Sequence, residues 1–376
     1  MVPDTLSLPL PEPPLPPITA RPLGASGSPK RGGRPRRRTS GRTQGDLFSF
    51  PRRPRPAAAD APISEADTRS FPLDDLPQEP TPALIARLEA LLDEDNPAMA
   101  AFVALAETLG ARRDKTATPV LLRLAHRFAG FDRDVGAPEM RAALSALRRV
   151  NDPACASAVT DLATLDALSP ESLAVALDCL GGLRHRPAAP LARRHVSHDA
   201  PAVRAAACAL TARLRLRTSG AALEGLLTDP SPGVAAEAAI ALGTLGLPAG
   251  KAPLETWLST ATPEDMPRVV AALVPVADTD TTILLGRAAE RAGLEGRLAV
   301  VSALGDLGGR GAVTWLGRLA RDRMPIVRQA VSEALEKTAD PAAAAILREL
   351  AADDDPNVAD AADQSLQALA EQAEDW

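Results

Sequence analysis

The chain is 376 residues long, 45% hydrophobic but only 2% aromatic, with three cysteines and a formal net charge of −6. Such apolar content can bury a core, the odd cysteine count offers no disulfide framework, and no stretch joins a basic leader to an apolar run or reaches the about 18 apolar residues of a membrane span. A reduced cytoplasmic protein without a membrane span is expected, and its charge is divided unequally: residues 20–56 carry eleven Lys or Arg against the single acid Asp46, leaving residues 57–376 at −14.

Residues 1–81 hold 17 of the 36 prolines and show no helical periodicity. They cannot bury enough apolar surface to offset the entropy of ordering, so a disordered Pro/Arg-rich arm is expected there. P-L-P-P at 14–17 suits a polyproline II spacer or docking ligand. In R-G-G-R-P-R-R-R at 31–38, Arg36, Arg37 and Arg38 crowd guanidinium groups that can pair with phosphates. Weak nucleic-acid contact through the arm is one reading, and a solvated tail is the other. Gln44-Gly45-Asp46-Leu47-Phe48 follows, and it resembles the short peptide by which many bacterial replication and repair proteins bind the sliding clamp. The resemblance implies a polar anchor at Gln44, with Asp46 in the middle and Leu47 and Phe48 entering an apolar pocket. Gly45 stands where that peptide commonly has leucine, and an incidental apolar pair is the competing reading.

From Pro82 onward the pattern is helical, with helices expected near 82–95, 97–110, 116–130 and 138–150 and a longer loop at Phe131–Ala137. Beyond these a 31-residue period governs: H-D-A-P-A-V at 198–203 returns as D-P-S-P-G-V at 229–234, D-R-M-P-I-V at 322–327 and D-D-D-P-N-V at 353–358. Pro170, Pro201, Pro232, Pro263, Pro325 and Pro356 share this grid and mark helix starts, with Ser169, Ser231 and Thr262 as N-caps. Leu180, Leu242, Leu273, Leu304, Leu335 and Leu366 form a second track, interrupted by Thr211, that closes a stripe begun by Val203, Val234, Val327 and Val358. Gly181, Gly243 and Gly305 read as helix stops. A third track, Leu223, Leu254, Leu285, Leu316 and Leu347, belongs to a shorter second helix. An all-α solenoid of about nine antiparallel helix pairs over 82–376 is therefore expected.

The words D-x-x-P-x-V-R and A-x-A-L-G-x-L-G resemble HEAT repeats, in the short form of phycobilisome-lyase-type proteins. The resemblance covers most of 138–370 and implies a curved protein-binding surface, with a few enzymes among the members. The iron-binding branch is marked by His-Glu dipeptides, which this sequence lacks. His195-x-x-His198 with Asp199 is the only local metal-like spacing, and solvated turn residues are expected there. Trp257 and Trp315 fall on packing positions, Cys155, Cys179 and Cys208 read as buried small hydrophobes, and G-D-L-G-G-R-G at 305–311 reads as a helix stop and turn. Residues 184–217 gather Arg184, Arg186, Arg193, Arg194, Arg204, Arg213, Arg215 and Arg217 around the single acid Asp199. This cluster is either a solvated face or a docking patch for an acidic protein or phosphate backbone.

These features favour a non-enzymatic scaffold with no catalytic group, cofactor or metal. It would bind another protein, the sliding clamp being one such partner, and be tethered by its arm. The alternative is an accessory factor resembling the bilin-lyase group.

Overall fold

A computed structural model describes residue 76 and residues 78–374 apart from 96, 166 and 339. The expectations for Arg36, Arg37, Arg38, Gln44, Asp46, Leu47 and Phe48 lie outside the described residues, all of which fall in one compact unit, Ser64–Trp376. Among them the regular structure is helical, with no strand.

Helices α1 (Thr81–Asp93), α2 (Met99–Arg112), α3 (Thr118–Phe128), α4 (Asp132–Val135) and α5 (Pro138–Val150) precede the regular repeats. Then come α6 (Ala156–Thr164), α7 (Pro170–Gly182), α8 (Ala189–His195), α9 (Pro201–Arg213), α10 (Gly220–Gly225) and α11 (Pro232–Thr244). The stack continues with α12 (Lys251–Leu258), α13 (Met266–Leu273), α14 (Thr279–Arg291) and α15 (Leu294–Leu307). It ends with α16 (Gly309–Leu319), α17 (Pro325–Lys337), α18 (Ala343–Leu350) and α19 (Pro356–Glu374).

Two layers follow from these helices. Helices α2, α5, α7, α9, α11, α13, α15, α17 and α19 each pack on the next in that order, while α1, α3, α6, α8, α10, α12, α14, α16 and α18 each precede their layer partner. That makes nine pairs among the described residues. The leucine tracks lie between the layers: Leu180, Leu242, Leu273, Leu304, Leu335, Leu223, Leu254, Leu285, Leu316 and Leu347 are fully buried. Each buried leucine contributes about 1.5–3 kcal/mol relative to exposure. Thr211, the odd residue of its track, is also fully buried and donates its hydroxyl to the Ala207 carbonyl at 2.7 Å, which satisfies it without a partner from outside its own helix.

Four local expectations are corrected. The segment Phe131–Ala137 is not simply a loop, because α4 forms within it and buries Asp132, whose carboxylate accepts from the Ser169 N–H at 2.7 Å and the Ser172 hydroxyl at 3.0 Å. Pro263 does not begin a helix: the Thr262 hydroxyl accepts from the Asp265 N–H at 3.2 Å, and α13 starts at Met266. Ser231 does not cap α11 with its side chain, whereas Ser169 does cap α7.

Finally, Gly181, Gly243 and Gly305 do not stop their helices. They lie where neighbouring helices approach closely: a Cβ on Gly243 would sit 2.4 Å from the Ala272 carbonyl oxygen, and one on Gly305 would sit 3.0 Å from the Ala334 Cα. The chain turns three residues later, in the left-handed region, at Arg184, Arg215, Gly246 and Gly308. There His185, Leu216 and Leu247 donate N–H bonds back to Leu180, Thr211 and Leu242, the closing bond of a Schellman turn.

Candidate functional site

Because the helices alternate in direction, the stack has two edges. Turns from a short-layer helix into a long-layer helix lie on one, and turns from long to short lie on the other. Contacts between successive turns confirm the alignment. On the long-to-short edge the Thr118 hydroxyl donates to Asp152 at 2.8 Å, and Arg217 reaches the Gly246 carbonyl at 3.4 Å.

The short-to-long edge is tied by side chains. Arg204, at the start of α9, donates from Nε and Nη2 to both oxygens of Asp229 in the next turn, each at 2.8 Å, and its Nη1 reaches the His198 and Asp199 carbonyls. Arg328 repeats this four units on, with both bonds to Asp353 at 2.7 Å and a third to the Asp322 carbonyl at 2.8 Å. Arg297 donates to Asp322 at 2.6 Å. The side-chain hydrogen bond to Arg204 holds the Asp229 carboxyl below its ordinary value, and Arg328 does the same for Asp353. The ladder is interrupted in mid-stack, where Ala235, Thr260, Met266 and Arg291 occupy the equivalent positions. There Arg268 pairs instead with Glu237 at 2.6 Å, and Arg291 donates to the Leu258 carbonyl at 3.0 Å.

The predicted arginine cluster is divided between the edges. Arg193 and Arg194, in the last turn of α8, are exposed on the short-to-long edge, and Arg204 is committed to the ladder. Arg184, Arg186, Arg213, Arg215 and Arg217 lie on the opposite edge. Arg213 pairs with Asp178, which Arg148 also reaches at 2.5 Å; Arg215 makes a long contact with the Thr244 carbonyl, at 3.5 Å. Two earlier turns extend this side in ways the sequence reading missed: Arg112, Arg113 and Lys115 surround the turn after α2, and Arg148 and Arg149 end α5. The 31-residue recurrence of Arg184 with Arg215, and of Arg186 with Arg217, is the signal that separates this group from Arg193, Arg194 and Arg204.

His195 is buried rather than solvated, at the end of α8. Its ring centroid lies 5.7 Å from that of His198, whose Nδ1 accepts from the Ala200 N–H at 3.0 Å. Both line a niche of about 150 Å³ with Ala163, Leu168, Pro170, Leu173 and Arg194. Among the described residues no group of three His, Cys, Asp or Glu side chains is placed to hold a metal. Burial pushes the Cys208 thiol up to about 12. Cys179 is also raised, by its hydrogen bond with Cys155 and by burial, so neither thiol is a ready nucleophile. Trp257 and Trp315 pack against the core, with the Trp315 ring filling the space beside Gly286. No described helix is long and apolar enough to cross a membrane.

No curated protein matches the chain in sequence. Among solved structures, it is similar to an engineered protein at 16% identity and TM-score 0.46, covering 79% of this chain and 93% of that one. It is similar to the CpcE–CpcF complex of phycocyanin lyase from Nostoc at 14% identity and TM-score 0.43, covering 84% of this chain and 100% of that one. For a Kap121p mutant the identity is 13% and the TM-score 0.44, over 80% of this chain and 39% of the other. Residues 196–274 and 281–367 match the model of the HEAT repeats. Over those residues the chain is made of HEAT repeats, each a pair of antiparallel helices recurring every 31 residues.

Proposed function

We propose that the protein is a non-enzymatic scaffold that binds a partner protein along its long-helix layer, while residues 1–81 serve as a tether. The observation that carries this reading is a row of half-buried small and aliphatic side chains running from one long helix to the next: Ala174 and Val175 on α7, Ala205 and Ala206 on α9, and Ile240 on α11. Such a surface offers shape and apolar area without a catalytic constellation, which is how stacked repeats commonly bind. Replacing Ala174 and Ala205 with Glu should abolish recovery of the partner in affinity purification while leaving helical content unchanged. Recovery of the same partner by the variant would overturn the proposal.

Within this reading, Gln44–Phe48 is the segment that would engage a sliding clamp, and the neighbouring arginines would add weak contact with nucleic acid. A peptide spanning Gly41–Pro51 should bind the clamp in the micromolar range, about −7 to −8 kcal/mol. Changing Leu47 and Phe48 to Ala should remove that binding at any salt. The maturation-factor alternative gains no support from the cavities: the niche beside His195 is well below the roughly 300–1,000 Å³ of small-molecule sites. A cleft of about 310 Å³ between α17 and α19 is larger, but it is lined by polar and acidic groups including Glu333, Glu336 and Asp360 rather than by apolar walls.

A further inference from the structure

We propose that the long-to-short edge from α2 to α10 binds the sugar-phosphate backbone of nucleic acid. This site is distinct from the long-helix face and from the arm, so its failure would leave the scaffold reading untouched.

The first support is which charges remain uncommitted. Arg113, Lys115, Arg149, Arg184 and Arg186 are exposed, and none is held by an ion pair among the described residues. Arg215 is exposed with only its long carbonyl contact. The acids of these turns are otherwise engaged: Asp114 accepts from the Thr116 N–H at 2.9 Å, and Asp152 accepts from the Ala154 N–H at 3.1 Å and from Thr118. Asp178 is shared by Arg148 and Arg213.

Helix electrostatics account for only part of this charge. A cation in the last turn of a helix is stabilised by the negative end of the dipole, which covers Arg112, Arg148, Arg149 and Arg213. Lys115, Arg186 and Arg217 do not fit that account, because each occupies the first position of the 3-10 turn that leads into the next helix, where the dipole disfavours a cation. Backbone geometry points the same way. Arg113, Arg184 and Arg215 have φ of 54°, 51° and 57°, a conformation costly for a residue with a Cβ, whereas Asn151 fills the equivalent position after α5 and Gly246 and Gly308 fill it farther along. Neither folding nor helix electrostatics explains why basic residues occupy both kinds of position in three of the four turns, those after α2, α7 and α9.

Nucleic acid suits the edge better than an acidic protein does. Successive units lie about 8–10 Å apart, so four turns present a line of about 24–30 Å, a little under one turn of B-form DNA. The exposed large apolar side chains Met99, Phe131, Leu165, Ile283 and Ile326 all lie away from these four turns. A protein partner would need such an anchor, and a phosphate backbone does not.

Full-length protein and a mixed-sequence 20-base-pair DNA duplex carrying a fluorescent label test this directly. The variant Arg113→Gly, Arg184→Gly, Arg215→Gly removes three charges at positions where glycine suits the backbone, so lost binding would not reflect unfolding. Affinity at about 0.1 M salt should fall at least tenfold, and the slope of log affinity against log salt should shrink by about 2–3. A control set on the other edge, Arg193→Gln, Arg194→Gln, Arg323→Gln, should leave both nearly unchanged. The proposal fails if wild-type protein does not bind, if the glycine set binds as wild type, or if the control set loses as much. It also fails if polyglutamate of equal charge displaces the duplex as well as unlabelled DNA does, which would identify an acidic protein as the partner.

Discussion

The two edges of the stack solve the same problem, joining one helix pair to the next, with different chemistry. On the short-to-long edge the joint is a side-chain ladder, and Arg204, Arg297 and Arg328 are held by Asp229, Asp322 and Asp353. On the long-to-short edge the joint is largely backbone: a left-handed residue follows α2, α5, α7, α9, α11 and α15, and after α7, α9 and α11 an N–H returns five residues back. The first arrangement commits Arg204, Arg297 and Arg328, and the second leaves Arg113, Arg149, Arg184 and Arg186 over. A basic residue is informative about partners only where the fold has not already employed it.

Both edges depend on the core between them, so the largest effect should come from breaking that core. Leu285→Ala, or the equivalent change at Leu254 or Leu316, should cost about 2–5 kcal/mol in chemical denaturation, since each side chain is fully buried between the layers. A loss below about half a kcal/mol would mean that the layers do not share a single core at that unit. Gly243→Ala comes next, at about 1–3 kcal/mol, because the new methyl group meets the Ala272 carbonyl oxygen and Leu254 rather than open space. If Gly243 were only a helix stop, the same change would be nearly neutral.

That second prediction bears on what could be read from the sequence. The 31-residue period placed the starts of α7, α9, α11, α17 and α19, because a proline at the first helical position has one structural meaning. Glycine has two, permitting a positive φ or permitting close approach, and near a helix end the two roles fall only three residues apart here. Composition cannot distinguish Gly243, which lies against α13, from Gly246, which turns the chain. Arginine in the left-handed region has no sequence signature at all. The arginine cluster was visible as a local density, but a window of 184–217 exceeds one repeat and therefore mixes both edges. Position within the repeat separates them. The early turn around Arg113 escapes even that rule, since the spacing before α5 is stretched by the segment containing α4, and the turn after α5 has Asn151 and Pro153 at the two repeating positions.

The ladder edge should also show its chemistry in acid. Asp353 has its folded pKa depressed below 3.8, chiefly by the Arg328 hydrogen bonds. A depressed carboxyl contributes stability that is fully present above the unfolded value and is lost as pH falls through the folded one. The thermal midpoint of wild type should therefore drop more steeply than that of Asp353→Asn below about pH 4. Because the carboxylates lie near solvent, this difference should be smaller than either core effect. Parallel curves would show that the ladder is a geometric register with little coupling to protonation.

The smallest effect separates the two edges most sharply. Arg184→Gly and Arg215→Gly each exchange a strained left-handed residue for one that adopts φ near +50° freely. Relief of that conformation is worth about 1–2 kcal/mol, offset by the greater backbone entropy of glycine in the unfolded chain and by loss of a cation beside a helix C-terminus, about 0.3–1 kcal/mol. The balance should be a gain of roughly half a kcal/mol for each glycine. Arg215→Ala keeps the strain and loses the charge, so it should be slightly less stable than wild type. Removal of a ladder arginine such as Arg328 gives the opposite sign to the glycine changes, because Asp353 is then left without its partner. If Arg184→Gly and Arg215→Gly both destabilise, these arginines belong to the folding of the edge, as Arg328 belongs to the ladder. If both stabilise, the fold tolerates arginine there at a cost, and the reason for its presence lies outside the folded chain.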